Sequence, residues 1–83
     1  MDLSRYEVEI SYHAFKQAMA RGIHPDLIEN TLLTGKVERF GKHGVKFVSE
    51  GDRTIICVGQ IVGMNLKIFT VEAIWNHARL VKG

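Results

Sequence analysis

The stretch Ser11–Ile23, S-Y-H-A-F-K-Q-A-M-A-R-G-I, decides how the rest of this 83-residue chain is read. Ser11 stands where a cap hydroxyl accepts an otherwise orphan amide of a first helical turn. The reciprocal Glu or Gln of a full capping box is missing, because Ala14 holds that position. On a helical wheel Tyr12, Ala14, Phe15, Ala18 and Met19 gather on one side. His13, Lys16, Gln17 and Ala20 gather on the other, with Arg21 at the border. Gly22 suits the left-handed residue that ends such a helix. A second helix opens at once. His24 takes its cap position, and Pro25 its first turn, where a missing N–H costs nothing. Asp26 and Glu29 favour the positive end of its dipole. Ile23 and Ile28 have the spacing of a hydrophobic staple. Leu27, Ile28, Thr31 and Leu32 form its buried stripe, Leu33 points away from that stripe, and Gly35 stops it. Ser11–Gly35 is therefore a helical hairpin with a tight link.

Upstream, Tyr6–Ile10 alternates Val8 and Ile10 with Glu7 and Glu9, the pattern of a short half-exposed strand. Downstream the period changes to two. Val37–Phe40 is a short strand, and Val45–Glu50 and Arg53–Gln60 form an antiparallel pair turning at Gly51-Asp52. A two-residue turn there sets Glu50 opposite Arg53, Val48 opposite Ile55 and Lys46 opposite Cys57 on one face. It sets Phe47 opposite Ile56 and Val45 opposite Val58 on the other. The second face is the better core and is expected to take the helices, while the first stays partly open. A slip of one residue would exchange the two. Met64–Ile74 continues as a strand whose register no loop fixes. Trp75–Lys82 is a short helix or a last strand, with Trp75 a core plug. The order predicts a single α+β domain over residues 1–83. Its short N-terminal strand is followed by a two-helix hairpin packed on one face of a twisted antiparallel sheet.

Composition narrows the function classes. Hydrophobic residues make up 46% of the chain and charged residues 24%, which is globular rather than disordered composition. A net charge of +2 permits nucleic-acid binding without demanding it. The basic residues concentrate at Lys36, Arg39, Lys42 and Lys46, with His43 among them, a run that could face phosphate. No segment approaches the length of a membrane span. Met1–Glu7 is too charged for a secretory signal. The lone Cys57 suits a reducing compartment and reads as a small core hydrophobe. The expected location is the cytoplasm.

Four histidines, at 13, 24, 43 and 77, are scattered without metal-ligand spacing, so no metal is expected. No Gly-rich loop leads from strand to helix, and no serine elbow is present, so no cofactor is expected either. Metal-independent RNA cleavage is the one reaction the inventory allows. It needs a base for the 2′-hydroxyl, an acid for the leaving oxygen and cations for the phosphate. His13 would be acid or base, and Lys46, Glu50 and Arg53 on the open sheet face complete the expected catalytic set. Arg21, Arg39, Lys42, His77 and Arg79 are the expected RNA contacts. The alternative is a non-enzymatic protein-interaction module of the same fold, with Leu33, Val48 and Ile55 as its apolar contacts. One geometric feature separates the two readings. Cleavage needs His13 within reach of Lys46, Glu50 or Arg53 across one cleft, whereas a module needs only an exposed apolar patch.

Ser11-x-His13-Ala14, then Arg21-Gly22-Ile23, then a helix ending in Gly35 and apolar strands at Thr54–Val58 and Lys67–Val71 form a pattern over nearly the whole chain. In these residues the chain resembles an uncharacterised family of small prokaryotic domains grouped with the RelE/ParE-like toxins. The resemblance implies a compact endoribonuclease-like fold. It also implies a toxin-like activity on RNA, as in RelE-type members that cleave ribosome-bound messenger RNA, or on gyrase, as in ParE-type members. An antitoxin protein is the partner it implies. Of the candidate residues, His13 and Arg21 fall on the pattern itself.

Overall fold

The computed structural model describes residues 1–75. A 3-10 turn at Leu3–Arg5 leads into β1 (Glu7–Ile10), α1 (Tyr12–Ala20) and α2 (Pro25–Thr34). A meander follows: β2 (Lys36–Phe40), β3 (Gly44–Ser49), β4 (Arg53–Val62) and β5 (Asn65–Trp75). The strands form one sheet in the order β1-β5-β4-β3-β2. α1 packs on β5, and α2 on β3 and β4. This is the α+β architecture expected from the sequence. The tail after Trp75, with His77 and Arg79, lies outside the described residues.

The sheet is mixed rather than antiparallel throughout, because β1 lies parallel to β5. Chain direction explains it. The Ser11 N–H donates to the Ile68 carbonyl at 2.9 Å, and α1 continues the course of β1 along β5. Gln17 then meets Val71, and the Arg21 carbonyl meets Arg53 at the far end of the sheet. α2 turns the chain back, and β2 to β5 alternate from there. β5 thus regains the direction of β1.

The caps form as their residue types dictate. Ser11 Oγ accepts from the Ala14 N–H at 3.0 Å, and His24 Nδ1 accepts from the Asp26 N–H at 3.2 Å ahead of Pro25. Gly22 takes φ +68°, the left-handed stop. The buried face of α1 is narrower than the wheel suggests. Only Ala14 and Ala18 are fully buried, whereas Tyr12 is 75%, Met19 54% and Phe15 42% exposed. The alanines let the helix backbone lie close to β5, which leaves the larger side chains flanking the contact. Gln17, placed on the polar side by the wheel, turns inward, and its Oε1 accepts from the Val71 N–H at 3.2 Å. β1 ends beside Ile68, so Gln17 satisfies the strand edge that β1 leaves uncovered. α2 buries Ile28, Thr31 and Leu32 as expected, with Leu27 half out at 39%. The Thr31 hydroxyl donates to the Leu27 carbonyl at 2.7 Å, so its burial leaves nothing unpaired.

The β3–β4 pairing is shifted by one residue from the expected register. Val48 faces Ile56, Phe47 faces Cys57, Lys46 faces Val58 and Val45 faces Gly59, and the last pair is Ser49 with Ile55. A two-residue turn with Gly51 first needs positive φ there. Gly22, Gly41 and Gly63 adopt positive φ, and Gly51 does not. The connection is longer, and the slip exchanges faces. Ile55 and Cys57 move into the core beside Val45 and Phe47, while Ile56 and Val58 move to the open side.

β5 contains the second irregularity. Val58 pairs with Thr70, but Gly59 pairs with Ile68, so Phe69 is an extra residue in a β-bulge. The bulge changes the phase of the strand. Leu66 and Ile68 before it and Val71 after it all face the core, fully buried. Gly59 is required at this point: a Cβ there would lie 2.1 Å from the Lys67 carbonyl oxygen. Around the bulge the core closes with Phe47, Ile23, Ile28 and Leu32, each about 2–3 kcal/mol of apolar burial.

Candidate binding face of the sheet

Both helices cover one face of the sheet. Among the described residues, nothing packs on the other. The register lays out that open face in cross-strand rows. One row runs Lys36–Val48–Ile56–Glu72, the next Glu38–Lys46–Val58–Thr70, and a third Phe40–Gly44–Gln60–Lys67–Glu9. Val48, Ile56 and Val58 form a half-buried aliphatic centre. Around it Phe40 is 49% and Ile74 54% exposed. Phe69, extruded by the bulge, joins Phe40, Lys42, His43, Val58 and Gln60 around a hollow of about 390 Å³.

Charge is sorted across this face. Lys46 Nζ lies 3.5 Å from Glu38 Oε1, and Lys67 Nζ 3.9 Å from Glu9 Oε2; both pairs are open to water. Beyond those pairs the sheet is basic at one edge and acidic towards the other. β2 and its turn carry Lys36, Lys42 and His43, while Arg39, in register with Val45, belongs to the helix side of that edge strand. β1 and β5 carry Glu7 and Glu72.

The expected catalytic set is not assembled. His13 is exposed on α1, in the helical layer. Lys46 stands on the opposite side of the sheet, in register with Val58. Arg53 lies on the helix side because it shares the phase of Ile55, which the observed pairing turns into the core. Its Nη1 donates to the Arg21 carbonyl at 3.1 Å and its Nη2 to the Gly22 carbonyl at 3.3 Å. It thereby ties the α1–α2 link to the start of β4. Glu50 leaves the ladder for the β3–β4 loop. There it lines a cleft of about 370 Å³ with Arg53, Asp52, Asn30 and Leu27. Arg21 is exposed at the end of α1. Of the expected RNA contacts, Lys42 borders the open face, whereas Arg39 is exposed on the edge strand in register with Val45, beside a hollow shared with Glu38 and Lys46. Of the expected apolar contacts, Leu33 is exposed at 46% and Val48 lies on the open face, but Ile55 is buried in the core.

Burial pushes the Cys57 thiol up to about 12, so it is a neutral core group and no nucleophile at ordinary pH. Among the described residues, no group of three or more His, Cys, Asp or Glu is placed to hold a metal ion. Ile56, Val58 and Phe69 are the site residues that sequence reasoning missed, and His43 enters it only as part of the basic run Lys36–Lys46. The signal for Phe69 was the change of apolar phase between Ile68 and Val71, which demands a bulge. Compared with models of known protein families, with curated proteins and with solved structures, the chain matches none.

Proposed function

We propose that this domain is a non-enzymatic protein-interaction module that engages its partner through the open face of the sheet. The observation that carries the reading is the Val48–Ile56–Val58 centre, apolar and uncovered among the described residues, within a rim of sorted charge. A contiguous apolar patch with a polar rim is the anatomy of a protein interface. The separation of His13 from Lys46 by the thickness of the sheet supports binding over cleavage. A cytoplasmic location accompanies this reading, supported by the single, buried, free Cys57; no described helix is long and apolar enough to cross a membrane.

A second reading, a RelE-superfamily toxin-like protein acting on RNA, is favoured by one observation. Lys42, His43, Phe40 and Phe69 border the same hollow, a cationic rim beside aromatic rings where a phosphate and a base would sit. His43, not His13, would then be the acid or base. Inducible expression in bacteria, with total RNA followed over time, tests the two. Intact RNA is expected from wild type. RNA fragmentation that His43→Ala or His13→Ala abolishes overturns the module reading.

A further inference from the structure

We infer that the occupant of the open face is a second copy of this chain, packed face to face about a two-fold axis running along β4. The inference rests on the reading of that face as a binding surface and names its partner. Its first support is the order of charges across the strands. In the sheet order β1-β5-β4-β3-β2, acid lies towards β1 and base lies towards β2. A face-to-face pair has two simple in-plane two-fold axes. One runs across the strands and sets acidic edge on acidic edge. The other runs along the strands and exchanges the edges, so that the basic edge of each copy covers the acidic edge of the other.

In the second arrangement β4 lies over β4. Ile56 and Val58, on the central strand of the five, then meet their own counterparts, as an isologous interface requires. β3 and β2 lie over β5 and β1 of the second copy. Lys36 comes beside Glu72 of the second copy, because both end the same row. Lys42 and His43, in the turn past Phe40, come over Glu7 and Glu9 of the second copy, because the row of Phe40 ends at Glu9. Strand directions stay aligned across the pair, which is the common geometry of stacked sheets.

Size supplies the second support. At about 4.8 Å between strands and about 3.3 Å per residue, these five strands make on the order of 600 Å² of plane. Side-chain relief raises that towards the ~800 Å² per partner of a stable interface. The centre of the patch is aliphatic and the charges are peripheral, the distribution that specific pairs show.

The mass of the full chain, measured by sedimentation equilibrium from micromolar to millimolar protein, tests the inference. The mass is expected to rise from 9.4 kDa towards twice that value. Ile56→Lys is expected to abolish the rise with unchanged far-ultraviolet circular dichroism. Lys36→Glu and Glu72→Lys are each expected to weaken the dimer about fivefold, and the double exchange to restore it. A 9.4 kDa species at every concentration overturns the inference. So does a dimer that Ile56→Lys leaves intact, or a charge exchange without recovery. The two readings fail separately. A monomer with intact RNA on expression overturns only the second copy, whether another protein or residues 76–83 of the same chain occupy the face. A dimer with RNA fragmentation overturns only the module.

Discussion

The two faces of the sheet are made from the same strands, one residue out of phase with each other. On the helix side lie Val45, Phe47, Ile55, Cys57, Leu66, Ile68 and Val71, all buried. On the other lie Val48, Ile56, Val58 and Ile74, similar in chemistry but reached by water. Apolar content therefore does not separate core from surface here; cover does. α1 and α2 supply cover to one side through Ala14, Ala18, Ile28 and Leu32. The open side carries β-branched residues with no layer over them among the described residues. A sheet with two apolar faces is built to have both covered, and among the described residues only one is.

Truncation of the matching aromatic and aliphatic positions gives the widest gap between the faces. Phe47→Ala removes a ring with no solvent exposure and is expected to cost about 3–5 kcal/mol. Val58→Ala, opposite Lys46 on the open side, is expected to cost less than about 1.5 kcal/mol. Denaturant midpoints for the two variants check this. Equal losses would mean that the open face is already packed within the monomer, and the contrast between the faces would fail.

Cys57 sharpens the same contrast through pH. Desolvation raises its thiol to about 12, above the ordinary value of 9.0, so the folded state holds the proton more tightly than the unfolded chain. Its contribution is complete below pH 9 and declines as pH rises towards 12, by at most about 1.4 kcal/mol per pH unit. Wild type is therefore expected to lose more stability between pH 8.5 and 10.5 than Cys57→Ala does, as urea unfolding at each pH would show. Identical slopes would place the thiol in a wet environment and contradict the dry core on the helix side.

These contrasts show what was legible in the sequence. The caps at Ser11 and His24 and the stop at Gly22 are local, fixed by side-chain chemistry within a few residues, and all three could be read directly. So could the α+β order, because each period is a property of one segment. The faces of β3 and β4 could not be read reliably, because they depend on the backbone at Gly51. A dipeptide suited to a tight turn does not enforce one when a longer loop places Cys57 and Ile55 against the helices. The β5 bulge leaves one trace in the sequence, the change of apolar phase between Ile68 and Val71, but its place opposite Gly59 depends on the neighbouring strand. The candidate site inherited those errors. Lys46 and Arg53 share a face only in the expected register, and in the observed one the sheet stands between them.

Arg53 shows how that correction changes a residue's meaning. Expected as a phosphate contact, it donates to the Arg21 and Gly22 carbonyls and holds the interhelical link to β4. Arg53→Ala is expected to destabilise the fold by about 1–2 kcal/mol, in the range of partly solvated charge-assisted hydrogen bonds. Arg53→Lys should recover little of this, because an ammonium lacks the planar fork that reaches two carbonyls at once. Thermal unfolding of both variants decides the point. Full stability in Arg53→Ala would return the residue to the list of functional candidates.

The smallest effect is expected at the Lys46–Glu38 pair, and it tests the open face most directly. The charges are 3.5 Å apart with side chains 39% and 45% exposed, so water screens them. A double-mutant cycle with Lys46→Ala and Glu38→Ala is expected to give a coupling below about 0.5 kcal/mol in dilute protein. Attraction between charges strengthens as water is excluded around them. A layer docked on Val58, beside Lys46, would exclude it. The coupling should therefore grow as protein concentration rises through the range in which the chain pairs with itself. A coupling that is small and constant at every concentration would leave the face bare, and the difference between the two faces would then be permanent rather than awaiting a partner.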